Sequence, residues 1–179
     1  MRIISGKYRG RQIVAPAGLP ARPTTDFAKT GLFNILNNRV DFENITVLDL
    51  FSGTGNITYE FISRGCTRIT AVDADKNCIR FIENTGMKLN AAGLRVIKSD
   101  AFHFLADTFL TFGVIFADPP FDMPGAEKLH ELIFRNNILD KNGLFVLEHP
   151  SGKNYSNLPN HFDTRKYGHV SFSFFKSEN

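Results

Sequence analysis

The segment Val114-Ile-Phe-Ala-Asp-Pro-Pro-Phe121 sets an acid, two prolines and an aromatic ring directly after an apolar, β-rich run. The prolines fix the backbone, and Pro119 has no N–H of its own to compete for a partner. The exocyclic amine of a nucleobase is a poor nucleophile because its lone pair is delocalised into the ring. The Asp118 carboxylate and the Pro119 carbonyl can both accept hydrogen bonds from such an NH2. This aims the lone pair at an electrophile, and the carboxylate stabilises the positive charge that develops. Pro120 continues the turn, and Phe121 offers a ring on which an extruded base can stack. Asp118, Pro119, Pro120 and Phe121 are therefore the candidate catalytic group. The bland alternative is a structural Asp-Pro-Pro turn.

A second constellation lies earlier. Val47-Leu-Asp-Leu-Phe-Ser-Gly-Thr-Gly-Asn56 reads as a strand running into a glycine turn that opens a helix. Gly53 and Gly55 let backbone approach a ligand closely. Asp73 ends the next strand, at the spacing where a carboxylate meets ribose hydroxyls. This much fits a nicotinamide dinucleotide or S-adenosylmethionine equally. Two residues separate them. The third glycine of a dinucleotide fingerprint is Thr58 here, and Asp49 stands just before the turn, where a pyrophosphate would meet a like charge. S-adenosylmethionine carries an ammonium and a sulfonium, which a carboxylate attracts. Asp100, in Ser99-Asp-Ala101 after the third strand, is placed for the adenine amine. The candidate cofactor residues here are Asp49, Phe51, Gly53, Gly55, Asp73, Ala74, Asp100 and Ala101. For the acids, the competing reading is strand-end caps facing solvent.

The elements that must position these residues alternate. β-rich runs at Thr46–Phe51, Ile69–Asp73, Leu94–Lys98, Val114–Ala117 and Leu144–Glu148 are separated by helical stretches near Ile57–Arg64, Lys76–Ala92, Ala101–Phe109 and Gly125–Asn136. Strands alternating with helices mean a parallel sheet covered on both faces. Phe162–Tyr167 and Val170–Lys176 predict a terminal hairpin adding antiparallel strands at the sheet edge. Ahead of the sheet, Thr24, Thr25 or Asp26 can cap a helix over Phe27–Asn38, with Phe27, Leu32, Ile35 and Leu36 as its expected buried positions and Gly31 weakening it slightly. Short β-like runs at Arg2–Ser5 and Gln12–Ala15 flank a turn over Gly6–Gly10. The expected organisation is a hairpin arm, residues 1–24, followed by one α/β domain, residues 25–179.

At 179 residues the chain suits about one domain. Its 42% hydrophobic and 22% charged content excludes a disordered chain. Two cysteines make a disulfide framework unexpected and fit a reducing cytosol. No apolar run reaches the ~20 residues of a membrane span, and the first residues show no signal-peptide pattern. Histidines and cysteines lack metal-ligand spacing. The net charge of +3 is unevenly placed: residues 1–25 hold Arg2, Lys7, Arg9, Arg11 and Arg22 without an acid, while the remainder carries −2. Such an arm reads as a phosphate contact or as a solvated hairpin face, and charge alone leaves both open.

Together the two motifs resemble the class I S-adenosylmethionine-dependent amino-methyltransferases. Met1-Arg-Ile-Ile-Ser-Gly-Lys-Tyr-Arg-Gly-Arg11, Leu19-Pro-Ala-Arg-Pro-Thr-Thr-Asp26 and Leu32-Phe-Asn-Ile-Leu36 resemble a narrower family, the bacterial small-subunit ribosomal RNA guanine-N2 methyltransferases of the RsmD family. The resemblance implies a Rossmann-like, mostly parallel seven-stranded sheet. It implies that Arg2, Lys7, Arg9 and Arg11 contact RNA and that Arg22, Thr24 and Thr25 lie by the cofactor. It further implies a guanine N2 in 16S ribosomal RNA, free or in the small ribosomal subunit, as target of a cytoplasmic, metal-free monomer. Phe27-Ala-Lys-Thr-Gly31 departs from the basic stretch that the family has there.

Rival readings keep parts of this picture. An adenine-N6 DNA methyltransferase uses Asp-Pro-Pro-[Phe/Tyr] too, but no insert for target recognition is visible. A glutamine-directed protein methyltransferase shows Asn where Asp118 stands. A non-catalytic RNA-binding module with a vestigial cofactor site has no reason to keep Asp49, Gly53, Gly55, Asp73 and Asp118 together. His149, beside Glu148, is expected to be a hydrogen-bonded strand-end residue and not a base. Phe172, Phe174 and Phe175 are expected in the core, and Asp75 is expected to cap a helix.

Overall fold

A computed structural model describes residues 1–19 and 24–177. Arg22 therefore lies outside the described residues. The remainder is a three-layer α/β structure. Helix α1 (Asp26–Leu36) precedes β1 (Thr46–Leu50), α2 (Asn56–Ser63), β2 (Arg68–Asp73), α3 (Lys76–Lys88) and β3 (Leu94–Lys98). Then come α4 (Ala101–Asp107), β4 (Phe112–Ala117), α5 (Ala126–Arg135), β5 (Leu139–Pro150), β6 (His161–Tyr167) and β7 (Val170–Lys176). The strand order is β3-β2-β1-β4-β5-β7-β6, with β1 to β5 parallel. Strand β7 inserts antiparallel between β5 and β6, so the hairpin extends the sheet as the alternating V-S-F-S-F-F pattern requires.

The parallel strands are apolar on both faces because helices cover both. Val47, Val114, Phe116, Val146, Phe172 and Phe174 pack against Leu32, Phe33, Ile57 and Phe61 of α1 and α2. Leu48, Leu50, Ala117, Phe145, Leu147 and Phe175 pack on the other side against Leu105, Leu129 and Ile133 of α4 and α5. Alternation then assigns Asp49 and Glu148 to the α1/α2 side, after Val47 and Val146 respectively.

Three local features differ from the sequence reading. Strands β4 and β5 start earlier, because Phe112 and Leu139 pair across the register irregularity that precedes Val114. The buried face of α1 is rotated: Phe27 is 68% exposed, whereas Lys29 is 1% exposed. Hydrophobicity alone points Phe27 inward, but a buried anion and two backbone or amide acceptors hold the Lys29 ammonium inside. Gly31, which costs helix propensity, lies where any Cβ would fall on the Tyr167 ring of β6, so its smallness serves packing.

The N-terminal segment pairs with itself over a few residues: Arg2 bridges Gln12 antiparallel, Met1 and Ile13 exchange backbone hydrogen bonds at 3.0 and 2.9 Å, and Ile3 N–H donates to the Arg11 carbonyl at 3.1 Å. Ile3 and Ile13 are buried against Tyr59, Ile82 and Leu89 of α2 and the α3 region. Lys7 N–H donates to the Ser63 carbonyl at 2.6 Å, the Tyr8 amide donates to Ser63 Oγ at 2.9 Å, and the Tyr8 hydroxyl donates to the Leu89 carbonyl. The arm is seated on the domain.

Candidate active site at the strand ends

Strand β1 lies between β2 and β4, and the chain winds outward in both directions from that boundary. In open parallel sheets, ligands bind outside the C-terminal strand ends at this switch point. The turn after β1 is built for that place. Phe51, Gly53 and Gly55 all have positive φ, at 57°, 53° and 80°. Gly55 caps α2 in the left-handed conformation, and a Cβ there would sit 2.6 Å from Tyr59 Cζ. Its need for glycine is thus met inside the fold.

The acids hold this turn together. Asp73 accepts from Gly53 N–H at 2.8 Å through Oδ2 and from Asp75 N–H at 2.8 Å through Oδ1. A carboxylate offers about four acceptor positions, so two hydroxyls can still be received. Asp49 is 1% exposed, and its Oδ2 accepts from Thr58 N–H at 3.0 Å and from Thr58 Oγ1 at 2.5 Å. Thr58, the residue that breaks the dinucleotide fingerprint, therefore has a use that glycine could not fill. Burial pushes the Asp49 carboxyl up to about 7, against the pull of the Thr58 hydrogen bonds.

Asp100 is the N-cap of α4, with Oδ1 accepting from Phe102 N–H at 2.9 Å and His103 N–H at 3.1 Å. Ala101 follows it into the core, while Ala74 is exposed beside Asp73. Asp75 caps α3 through Asn77 and Cys78. The capping bonds hold its carboxyl below the usual carboxylate range.

Asp118 follows β4 directly, and its N–H points at the Leu50 carbonyl of β1 at 3.5 Å. The register that pairs Leu50 with Ala117 and Ala117 with Leu147 sets Asp118 abreast of both the β1 turn and Glu148. Pro119 is buried and Pro120 is exposed. Met123 N–H donates to the Pro120 carbonyl at 2.9 Å, and Lys153 Nζ to the Phe121 carbonyl at 3.2 Å. The half-buried Phe121 ring leans on the α1/α2 side of the core.

Thr24 and Thr25 divide. Thr25 Oγ1 caps α1 by accepting from Ala28 N–H, and Thr24 Oγ1 donates to Glu148 Oε2 at 2.8 Å. Sequence reasoning passed over Glu148. The signal was its place at the end of an apolar strand beside the Asp118 strand. His149 accepts or donates at both ring nitrogens, to Ser173 Oγ and the Pro150 carbonyl, and burial lowers its imidazole. It is a fixed, neutral ring.

The donor chemistry suits a cationic ligand bearing sugar hydroxyls. Asp73 and Asp49 hydrogen-bond the turn and the first turn of α2, Asp100 stands at the end of β3, and Lys29, whose Nζ reaches Asn56 Oδ1 at 2.8 Å, is already paired with Glu60. Among the described residues, no group of three or more His, Cys, Asp or Glu could hold a metal ion. No helix of the described residues is long and apolar enough to cross a membrane.

The family model described as "Conserved hypothetical protein 95" matches residues 1–176. The chain belongs to that family. It is the RsmD family indicated by the N-terminal and Asp-Pro-Pro-Phe motifs. Ribosomal RNA small subunit methyltransferase D of Escherichia coli K12 is 28% identical over 181 residues, covering 99% of this chain and 90% of that protein. The putative rRNA methyltransferase YlbH of Bacillus subtilis is 35% identical over 153 residues, covering 83% and 82%. A solved Escherichia coli structure, putative methyltransferase yhhF, superposes with a TM-score of 0.87 at 29% identity, covering 99% and 98% of the two chains. The RsmD-family chain thus has the Rossmann-like methyltransferase fold, with its terminal antiparallel hairpin.

Proposed function

We propose that this RsmD-family protein transfers a methyl group from S-adenosylmethionine to the exocyclic N2 of a guanine in small-subunit ribosomal RNA. The observation that carries the reading is the placement of Asp118. It stands at the end of β4, next to the β1 turn that Asp73 grips and close in sequence register to the buried Asp49 of β1. The names and coverage of the relatives support ribosomal RNA as the substrate. That substrate in turn puts the protein in the bacterial cytoplasm.

When bound, S-adenosylmethionine supplies an electrophilic methyl group on sulfur. The chain's own residues supply the rest. Asp73 receives ribose hydroxyls while keeping the Gly53 N–H, and the second oxygen of Asp100 receives the adenine amine. Phe51, Ala74 and Ala101 wall the nucleoside, and Asp49 attracts the ammonium. The family resemblance also assigns Arg22, Thr24 and Thr25 to the cofactor. Asp118 and the Pro119 carbonyl accept the two N–H bonds of the guanine amine, which turns its lone pair out of conjugation. As nitrogen bonds the methyl carbon, the methyl–sulfur bond would break and the neutral thioether would leave. The Asp118 carboxylate stabilises the positive charge on nitrogen and accepts the proton that the methylated amine then loses, passing it to solvent. Phe121 stacks on the extruded base, and Lys7, Arg9 and Arg11, exposed on the seated arm, meet phosphates. Arg2 is exposed too but shares its guanidinium with Asp26 at 3.2 Å.

The test is Asp118→Ala. Cofactor affinity should stay within a few-fold while turnover falls by about 10²-fold or more, as with loss of a transition-state acceptor. Near wild-type turnover would remove Asp118 from the chemistry.

A further inference from the structure

A buried chain of hydrogen bonds, with one ion-pair contact between Glu60 and Lys29, joins the N-terminal segment to the strand end beside Asp118. Glu60 of α2, wholly buried, accepts from Ile4 N–H at 2.8 Å and Ser5 N–H at 3.0 Å. The same carboxylate takes Arg64 at 2.9 Å and faces Lys29 Nζ at 3.7 Å. Lys29 Nζ donates to the Arg2 carbonyl at 2.6 Å and to Asn56 Oδ1 at 2.8 Å. Asn56 Nδ2 donates to the Thr24 carbonyl at 2.9 Å, and Thr24 Oγ1 donates to Glu148 Oε2 at 2.8 Å.

Stability does not account for this arrangement. A buried ion pair recovers its desolvation only in part, and apolar residues of similar volume would hold α1 on α2 as well or better. A fully satisfied polar chain does fix one geometry, because any shift leaves a buried group unpaired. Its two ends are also informative. One end takes the backbone of residues 2–5, immediately before the exposed cations Lys7, Arg9 and Arg11. The other reaches Glu148, which stands abreast of Asp118.

We propose that Glu60, Lys29, Asn56, Thr24 and Glu148 form a positioning device that sets the N-terminal segment in register with Asp118, so that RNA held by the segment presents its base at the reacting site. The inference rests on the reading that the segment contacts RNA and that Asp118 orients the amine. These are positioning residues. They act on the reaction through the placement of RNA.

Thr24→Val removes one hydroxyl with little change of shape, and Thr24→Ser restores it. With RNA substrate and saturating cofactor, Thr24→Val should lower kcat by about tenfold, since small misplacements of reacting groups are costly, while RNA Kd stays within about twofold. Thr24→Ser should return kcat to the wild-type level. A second variant, Lys29→Met, reports the other end: trypsin should cleave after Lys7, Arg9 or Arg11 faster than in wild type. Wild-type kcat in Thr24→Val at saturating cofactor, or unchanged cleavage in Lys29→Met, would each overturn the proposal. Asp118→Ala is run alongside. An active Asp118→Ala enzyme defeats the functional reading itself, whereas an inactive one with a fully active Thr24→Val defeats only the positioning device.

Discussion

Asp73 holds the Gly53 N–H with one oxygen and the Asp75 N–H with the other, so its removal acts on both the turn and any ribose it receives. Asp73→Ala should weaken S-adenosylmethionine binding by about 1.5–3 kcal/mol, the range for hydrogen bonds to a charged group. Calorimetry with unchanged affinity would take Asp73 out of the site. Asp49 gives a pH signature. Burial raises its carboxyl to about 7, so the folded protein holds a proton there that the unfolded chain releases. Stability from this group is full below the unfolded carboxylate pKa and is lost as pH rises toward about 7. A cationic ligand favours the ionised form, so cofactor affinity should increase as pH rises through about 7, with proton release on binding. Asp49→Asn should flatten both dependences. An equally steep affinity profile in Asp49→Asn would assign the titration to another group. Most of these acids were legible as a pattern, because strand-end spacing is set by chain geometry. Their existing partners were not. That Thr58 serves Asp49, or Tyr59 sits under Gly55, depends on how α2 is rotated, which no local spacing encodes.

At the scale of elements, the parallel core was legible because strands buried on both faces must be apolar throughout, and helices between them must show a stripe. In helix α1, Leu32 and Leu36 are buried as expected, but Phe27 is not, and Lys29 is. Phe27 outranks Lys29 on any apolar scale, yet a lysine with an anion and two acceptors waiting is the better fit. Such partners come from residues 2 and 56–60, far away in sequence. The seat of the arm was not legible for a related reason: Ile3 and Ile13 alternate as strand residues would, and the side chains of α2 and α3 that cover them lie far away in sequence. Gly6 shows how close that seat is. It has φ of 80°, and a Cβ there would run into the Ser63 carbonyl. Gly6→Ala should therefore lower Tm and unseat the arm while every cation remains, and a Tm equal to wild type would show that the seat is not tight. Arg9→Ala/Arg11→Ala does the converse. For single-stranded RNA each lost phosphate contact should flatten the log–log salt dependence by about 0.7, so the double variant should lose about 1.4. Cofactor affinity and Tm should hold. An unchanged salt slope would mean that these guanidinium groups only face solvent.

Taken whole, the molecule places an acid-lined glycine turn, the Asp118 strand end and a seated basic segment along one end and one flank of the sheet. Each part alone has a bland explanation: strand-end caps, a proline turn, a solvated surface. Their joint occurrence in one α/β domain of the RsmD family is what points to methylation of a base amine in ribosomal RNA. The measurement that bears most directly on this is transfer of labelled methyl from S-adenosylmethionine to small ribosomal subunits, naked ribosomal RNA and DNA, with the products digested to nucleosides. The account predicts label in N2-methylguanosine from small-subunit RNA, free or assembled, and none in DNA. Label in N6-methyladenine, label in protein, or no transfer to any of the three substrates would contradict it.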